Sequence, residues 1–455
     1  MAGLSQRGKT EQGISRRMNN SKQSVIVVGG GWAGLSAAAH LINKGCRVTL
    51  FESAKQLGGR ARCVAFEQQP VDNGQHLLLG AYTQTLNMLR LCNVNLDEAM
   101  LRLPINIRVL ERQGKEFHFS PSTLPAPLNI IVSFLKLPNI SLRDRIKTVL
   151  FLIKLRLTGF SLSRDITVKK LLRHQPAFIV KMFWEPLCIA ALNTGINDAS
   201  AKIFLNVLKD SFTQHAEASD LLIPKVDLAT LFVHPALQYI EQHGGSLMLG
   251  KKVNLIEKIG NQYTVTDADD RKHYAKHVVL AGSSKSTLSL LERSSLLEST
   301  CKQLQQLSYE PICTVYLQYP SSIRLPQAMI GLNNCTGQWI FDRHFCGQDG
   351  LMAVVISASG QHMQLDKITL AQLISDELAE LFSWPDASAS FVIREKRATF
   401  KAHINIDKLR PTNLTSEENL WLCGDYTAGP YPATLEAAVQ SGLQCSQAIT
   451  DNTKH

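Results

Sequence analysis

An apolar, β-branched run, Ser24-Val25-Ile26-Val27-Val28, enters directly into Gly29-Gly30-Gly31-Trp32-Ala33-Gly34, and this junction constrains the chain more than any other stretch. Such a run reads as a parallel strand buried on both faces. Leu35 to Lys44 then reads as a helix, Gly45 ends it, and Arg47-Val48-Thr49-Leu50-Phe51-Glu52 reads as the next strand, which completes a βαβ unit. Gly29, Gly31 and Gly34 satisfy G-x-G-x-x-G. The first glycine allows the tight turn, the second lets backbone approach a pyrophosphate, and the third lets helix and strand pack closely. The helix start, with Trp32 and Ala33 beside the glycines, offers unpaired N–H groups and positive partial charge to phosphate. Glu52 ends the second strand, where a carboxylate accepts hydrogen bonds from an adenosine ribose. A glycine triplet alone is common in loops; with the strand, the helix and the acid it predicts a dinucleotide site.

A second glycine-rich segment, Leu57-Gly58-Gly59-Arg60-Ala61-Arg62, follows closely. Its glycines bring backbone near a ligand, and its guanidinium forks suit phosphate. A simple nicotinamide domain has no use for it, whereas FAD, with its long ribityl chain, must be held along more of its length. Far along the chain, Asn419-Leu420-Trp421-Leu422-Cys423 reads as a strand running into Gly424-Asp425, and a helix is predicted from about Thr434 through Leu435 to Gly442.

Together, VIVVGGGWAGLSAA, LGGRAR and LCGDYTAG-PYPATLEAAVQSG resemble the flavin-containing amine oxidase and phytoene desaturase superfamily. The implied fold is α/β: a Rossmann-like FAD-binding domain assembled from both ends of the chain, with a discontinuous α+β substrate domain. The resemblance implies that Asp425 holds the ribityl or pyrophosphate region and that the helix at Thr434 and Leu435 points its N-terminus at the flavin pyrimidine ring. It also implies that backbone around Val253 faces adenine, and that Gly74, Gln75 and His76 lie beside the isoalloxazine. Narrower matches, VDNGQHLLLGAY, FWEPLCIAALNT and Arg397-Ala398-Thr399-Phe400, are similar to the squalene-associated FAD-dependent desaturases, the hydroxysqualene dehydroxylases. That family implies reductive loss of a hydroxyl from a long-chain isoprenoid, hydroxysqualene, giving squalene for squalene and hopanoid biosynthesis. The resemblance runs from about Gln23 to about Ile449. Two departures are Gly195, where Pro is expected, and Gly30 in the first variable place of the fingerprint.

The expected division gives residues 23–103, 228–300 and 412–455 to the FAD domain and 104–227 with 301–411 to the substrate domain, after a basic tail over 1–22. The 455 residues suit two or three domains at ~150 each. Two side chains are candidates for proton work. His76 follows the Gly74-Gln75 pair; Glu185 sits between Trp184 and Pro186 in apolar surroundings, where desolvation keeps a carboxyl protonated. A loop histidine more often packs or hydrogen-bonds, and a buried glutamate more often caps a helix. Asp72 reads as a backbone anchor. The competing activities are a carotenoid-type desaturase and a flavin amine oxidase, for whose aromatic cage Tyr426 and Tyr431 are the available rings.

Charge is uneven in this chain of net +10. Arg7, Lys9, Arg16, Arg17 and Lys22 against Glu11 give the first 22 residues a surplus of four, and Lys136 to Arg173 holds ten basic residues against Asp144 and Asp165. The second cluster is interleaved with Ile, Leu, Val and Phe instead of stacking aromatics, which suits an anionic membrane surface over 135–172 better than nucleic acid. No apolar run approaches the ~18 residues of a bilayer span, and no signal-peptide core is evident. Ten scattered cysteines without a Cys-x-x-Cys pair predict reduced thiols and no metal site. The expected location is the cytoplasm, peripheral to the inner membrane face, with the electron donor unspecified.

Overall fold

In a computed structural model, which describes residues 23–451 apart from 68, 123, 125–127, 139 and 214–215, the apolar strand Ser24–Val28 lies at the centre of a five-stranded sheet. The basic tail expected over 1–22 lies outside the described residues. The strand order is Ser246–Leu249, Arg47–Glu52, Ser24–Val28, His277–Leu280 and Leu420–Leu422, every pair parallel. Helices cover one face, and the antiparallel sheet Val253–Ile259, Gln262–Asp267 and Lys272–Ala275 packs on the other, so Val27, Leu50, Val279 and Leu422 are fully buried. The first helix spans Trp32–Asn43, beginning three residues earlier than the sequence predicts because the glycine loop already ends at Gly31.

The helix Leu435–Asp451 packs along Trp32–Asn43. Contact is close because Gly442 has no side chain: a Cβ there would fall 2.4 Å from the Ala33 carbonyl oxygen. Ser36 Oγ donates to the Val439 carbonyl oxygen at 2.9 Å across the same seam.

A second sheet of seven strands is built from Ala389–Phe400, Tyr309–Gln318, Leu351–Ser357, Trp339–Asp342, Met329–Asn333, Ile107–Glu111 and Glu116–Phe119, in that spatial order. All its pairs are antiparallel except Met329–Asn333 with Ile107–Glu111. The first sheet thus draws only on segments assigned above to the FAD domain, and the second only on substrate-domain segments. One strand crosses that division: Leu221–Pro224 pairs with Leu78–Leu79 and with Met100–Leu103.

The segment after the Glu116–Phe119 strand is mainly helical. Its helix Leu142–Leu157 starts at Ser141, whose Oγ accepts the Asp144 N–H, and buries Thr148, Val149 and Leu155. On the opposite side Leu142, Ile146, Leu150, Ile153 and Leu157 are exposed, Leu157 at 83%. Their spacing of three or four residues makes one continuous stripe. Leu128 and Leu135 on the preceding helix Leu128–Leu135 are exposed as well. Beneath the stripe, Phe151 meets Trp184 edge to face at 5.8 Å. No helix among the described residues is long and apolar enough to cross a membrane.

Candidate cofactor and active site

The glycines of the first loop are needed for different reasons. Gly29 has φ +119°, and a Cβ on it would lie 2.7 Å from the Ala281–Gly282 backbone. On Gly34 it would lie 1.9 Å from the Gly29 carbonyl oxygen. On Gly31 it would meet nothing within 4 Å, because this residue opens onto a cavity. Protein packing therefore explains two glycines, and close approach of a ligand accounts for the third. Gly31, the N-cap of the first helix, offers no side-chain cap, so the first-turn N–H groups stay available to an anion. The extra glycine, Gly30, also has a cause: a Cβ there would strike Leu57 Cδ2 at 2.3 Å, and its N–H donates to Glu52 Oε2 at 2.7 Å.

Glu52 is oriented by that bond and by the Ala54 N–H, which donates to Oε1 at 2.8 Å. The second glycine segment docks on the first, with the Gly58 N–H donating to the Gly30 carbonyl at 2.9 Å; Gly58 and Gly59 have φ +102° and +62°. Arg60 then reaches the far end of the chain. Its Nη2 pairs with Asp425 Oδ1 at 2.6 Å and its Nη1 donates to the Ala398 carbonyl at 2.5 Å. These two predicted cofactor residues hold each other, and both line the cavity. Gly424 has φ +156°, and its N–H donates to Ser441 Oγ. Thr434 Oγ1 accepts the Ala437 N–H at 3.1 Å, so Thr434 caps the helix beginning at Leu435 and aims its N-terminus at the cavity.

The cavity measures about 870 Å³ and is lined at one end by Gly31, Trp32, Ala33, Glu52, Gly59, Arg60, Val253, Gly424 and Asp425. The residues fit an extended dinucleotide: backbone and helix-start donors in the middle, a carboxylate at one side, and a second helix N-terminus beyond. The other end rests on the seven-stranded sheet. Because strand side chains alternate in direction, each strand contributes every second residue to this floor: Ile312 and Thr314, Val355 and Ser357, Trp339 and Phe341, with Ile393 from the edge strand. Leu187, Ala190 and Ala191 of the helix Glu185–Leu192, with Phe204, Val207 and Leu208 of the helix Ala201–Thr213, form a wall.

Gln75 and His76 stand where the two ends meet. Gln75 Oε1 accepts from Arg343 Nη1 at 2.7 Å. His76 Nδ1 lies 2.8 Å from the Gly74 carbonyl, which only accepts, so the ring proton sits on Nδ1 and Nε2 is left as an acceptor. Burial holds the imidazole below its ordinary pKa, against the raising effect of that bond, and Arg60 adds to the lowering. Asp72 is an anchor: its Oδ1 accepts the Leu228 N–H at 2.8 Å, and its own carbonyl accepts from Tyr316 Oη. Burial pushes its pKa up to about 6.

Glu185 is a correction to the sequence reading. It starts the helix whose later residues line the cavity, yet it does not line the cavity itself. Desolvation raises its pKa, with Lys169 and Lys181 opposing. The π-helical turn Val180–Trp184 precedes it because Pro186 lacks an N–H and its ring displaces the carbonyl a turn back. Nearby Asn193, in the left-handed region at φ 48°, donates to Thr399 Oγ1 and accepts the Ala358 N–H, so the Asn193-Thr194 and Thr399-Phe400 motifs are one structural joint. Tyr426 is buried against Thr287 and does not reach the cavity, whereas Tyr431 lines it and donates to Asp210 Oδ2 at 2.5 Å. With one ring committed elsewhere, these two tyrosines make no cage. Asp210 and Thr314 were not singled out from sequence; only the helix face and the strand alternation, once registered, bring them to the cavity. Among the described residues no cluster of His, Cys, Asp and Glu is arranged to hold a metal ion, and all ten cysteines are free.

Residues 32–450 match the family described as flavin containing amine oxidoreductase. The chain is similar to the hydroxysqualene dehydroxylase of Zymomonas mobilis, at 25% identity over 91% of this chain and 96% of that one. It is also similar to a zeta-carotene desaturase of Arabidopsis thaliana, at 22% identity over 94% of this chain and 86% of that one. Among solved structures, cyclohexylamine oxidase from Brevibacterium oxydans superposes with a TM-score of 0.70 at 15% identity, covering 95% of this chain and 100% of that one.

Proposed function

The chain belongs to the flavin containing amine oxidoreductase family and is an FAD-dependent oxidoreductase, and from that premise we propose that it removes the hydroxyl of hydroxysqualene reductively, giving squalene and water. The observation that carries this reading is the apolar floor and wall continuous with the dinucleotide end of one cavity. A hydrocarbon chain has no ionic handle, so its binding rests on apolar burial at roughly 25 cal/mol per Å². Gly31, Glu52, Arg60, Asp425 and Thr434 are the residues to hold the cofactor. Reduced FAD, when bound, supplies the hydride that replaces the hydroxyl.

The protein's own residues have three tasks. The Ile312, Val355, Ile393 and Phe341 floor keeps water from an allylic cation, which hydroxyl loss would create. The helix N-terminus capped by Thr434 favours negative charge at the pyrimidine end. The leaving hydroxyl needs one proton, and neutral His76 offers an acceptor at Nε2, so it suits orienting a donor rather than being one.

A substrate of this kind resides in a bilayer, which gives the exposed Leu142, Ile146, Leu150, Ile153 and Leu157 stripe a partner. Arg143, Lys147, Lys154 and Arg156 on the same helix supply cations for anionic headgroups. Reversing Lys147, Lys154 and Arg156 to Glu is expected to weaken co-sedimentation with phosphatidylglycerol vesicles by at least tenfold, at ~1 kcal/mol per charge near the surface; unchanged sedimentation rejects the membrane contact.

For the reaction, purified holoenzyme reduced by dithionite under nitrogen is mixed with hydroxysqualene. Squalene should appear as the flavin reoxidises. Reoxidation only on admitting oxygen, with no squalene, rejects the reading; new double bonds formed by the oxidised enzyme would instead mark a desaturase.

A further inference from the structure

The floor of the hydrocarbon end contains a fully buried hydroxyl that the protein leaves unpaired. Thr314 lies in the strand Tyr309–Gln318, is 1% exposed, and its Oγ1 has no hydrogen-bond partner among the described residues. Its surroundings do not call for a polar atom. Ile312 precedes it on the same face, and Val355 and Ile393 flank it in register on the two neighbouring strands; all line the cavity. Valine has the same shape and would spare the desolvation that an unpaired buried hydroxyl costs, so threonine is the unfavourable choice unless something in the cavity bonds to it.

Its position says what that partner is. A Cβ on Gly74 would lie 3.5 Å from Thr314 Oγ1, so the hydroxyl stands at the seam between the Gly74-Gln75-His76 segment and the apolar floor. A carbon that receives hydride must sit at this seam, with its hydrocarbon tail over the floor and its departing oxygen beside it. Resting on the dehydroxylase reading, we propose that Thr314 is a specificity-determining residue whose Oγ1 hydrogen-bonds the oxygen of the isoprenoid alcohol and sets the carbinol carbon at the seam. A plain hydrocarbon makes no such bond, so Thr314 favours substrate over the squalene product and helps the product leave.

The test uses oxidised holoenzyme, titrated separately with hydroxysqualene and squalene in detergent, with binding read from the visible flavin spectrum. Wild type should bind the alcohol more tightly. Thr314→Val should weaken alcohol binding about five- to tenfold, the range for one lost hydrogen bond, and leave squalene binding and FAD content unchanged; Thr314→Ser should keep most of the preference. An alcohol affinity unchanged in Thr314→Val overturns the assignment. So does a ligand-free spectrum or FAD content altered in Thr314→Val, which would give the hydroxyl to the flavin instead. A wild type that binds neither isoprenoid brings down the dehydroxylase reading itself, before Thr314 is at issue.

Discussion

The two ends of the cavity are made differently. The dinucleotide end is mostly backbone: Gly31, Gly58 and Gly59, the uncapped N–H groups after Gly31, and the helix start at Leu435. The hydrocarbon end is all side chain: Ile312, Val355, Phe341 and Ile393 reach it from separate strands of one sheet. Backbone sites tolerate only residues that permit the geometry, so they leave glycines at fixed spacing. Side-chain sites require only apolar bulk in register, which many sequences satisfy.

The sharpest way to break this contrast is within the glycine loop. Gly34→Ala places a methyl group 1.9 Å from the Gly29 carbonyl oxygen and should cost about 3 kcal/mol or more, seen as insoluble protein or a large fall in Tm. Gly31→Ala meets no protein atom, so the apoprotein should melt as wild type does while binding FAD at least tenfold more weakly by fluorescence titration. Full FAD affinity in that variant would remove the backbone-approach explanation.

Asp72 probes the seam between the ends. Its folded pKa of about 6 lies above the roughly 4 of an unfolded Asp, so the folded state holds the proton more tightly. The stability from the neutral carboxyl is complete below about pH 4 and is lost as pH rises through 6, by up to roughly 3 kcal/mol. Asp72→Asn preserves an acceptor for the Leu228 N–H and should flatten that loss in urea unfolding at pH 4 and pH 7. Equal slopes in both proteins would show that Asp72 is not the group titrating. The smallest effect belongs to the floor. Ile393→Ala should weaken squalene binding about fivefold, roughly 1 kcal/mol of lost apolar contact, with FAD content untouched; a loss of FAD would mean the two ends are not separable.

The same contrast explains what could be read from the chain. The first βαβ unit, Glu52, the Arg60 segment and the helix after Thr434 were legible because each is local in sequence and tied to a glycine or a cap. The pairing of Arg60 with Asp425 was not, since it joins residues far apart and each alone resembles a ligand-binding group. Glu185 misled for a related reason: apolar neighbours in sequence do not say which side of a helix faces the cavity, and its helix turns Leu187 and Ala191 inward instead. Thr314 and Asp210 gave no signal, being a strand residue and a helix residue whose direction depends on partners elsewhere in the chain.

The close seam between the helices Trp32–Asn43 and Leu435–Asp451 has a consequence for biosynthesis. Ser36 and Val439 are 403 residues apart, so a nascent chain leaving the ribosome at 5–20 residues per second exposes the alanine-rich side of its first helix for roughly 20 to 80 seconds before the covering helix exists. Until then the cavity lacks Gly424, Asp425 and the helix start at Leu435, which line it in the finished protein. Chaperone dependence, rather than any weakness of the finished enzyme, is where this architecture would first be felt in the cell.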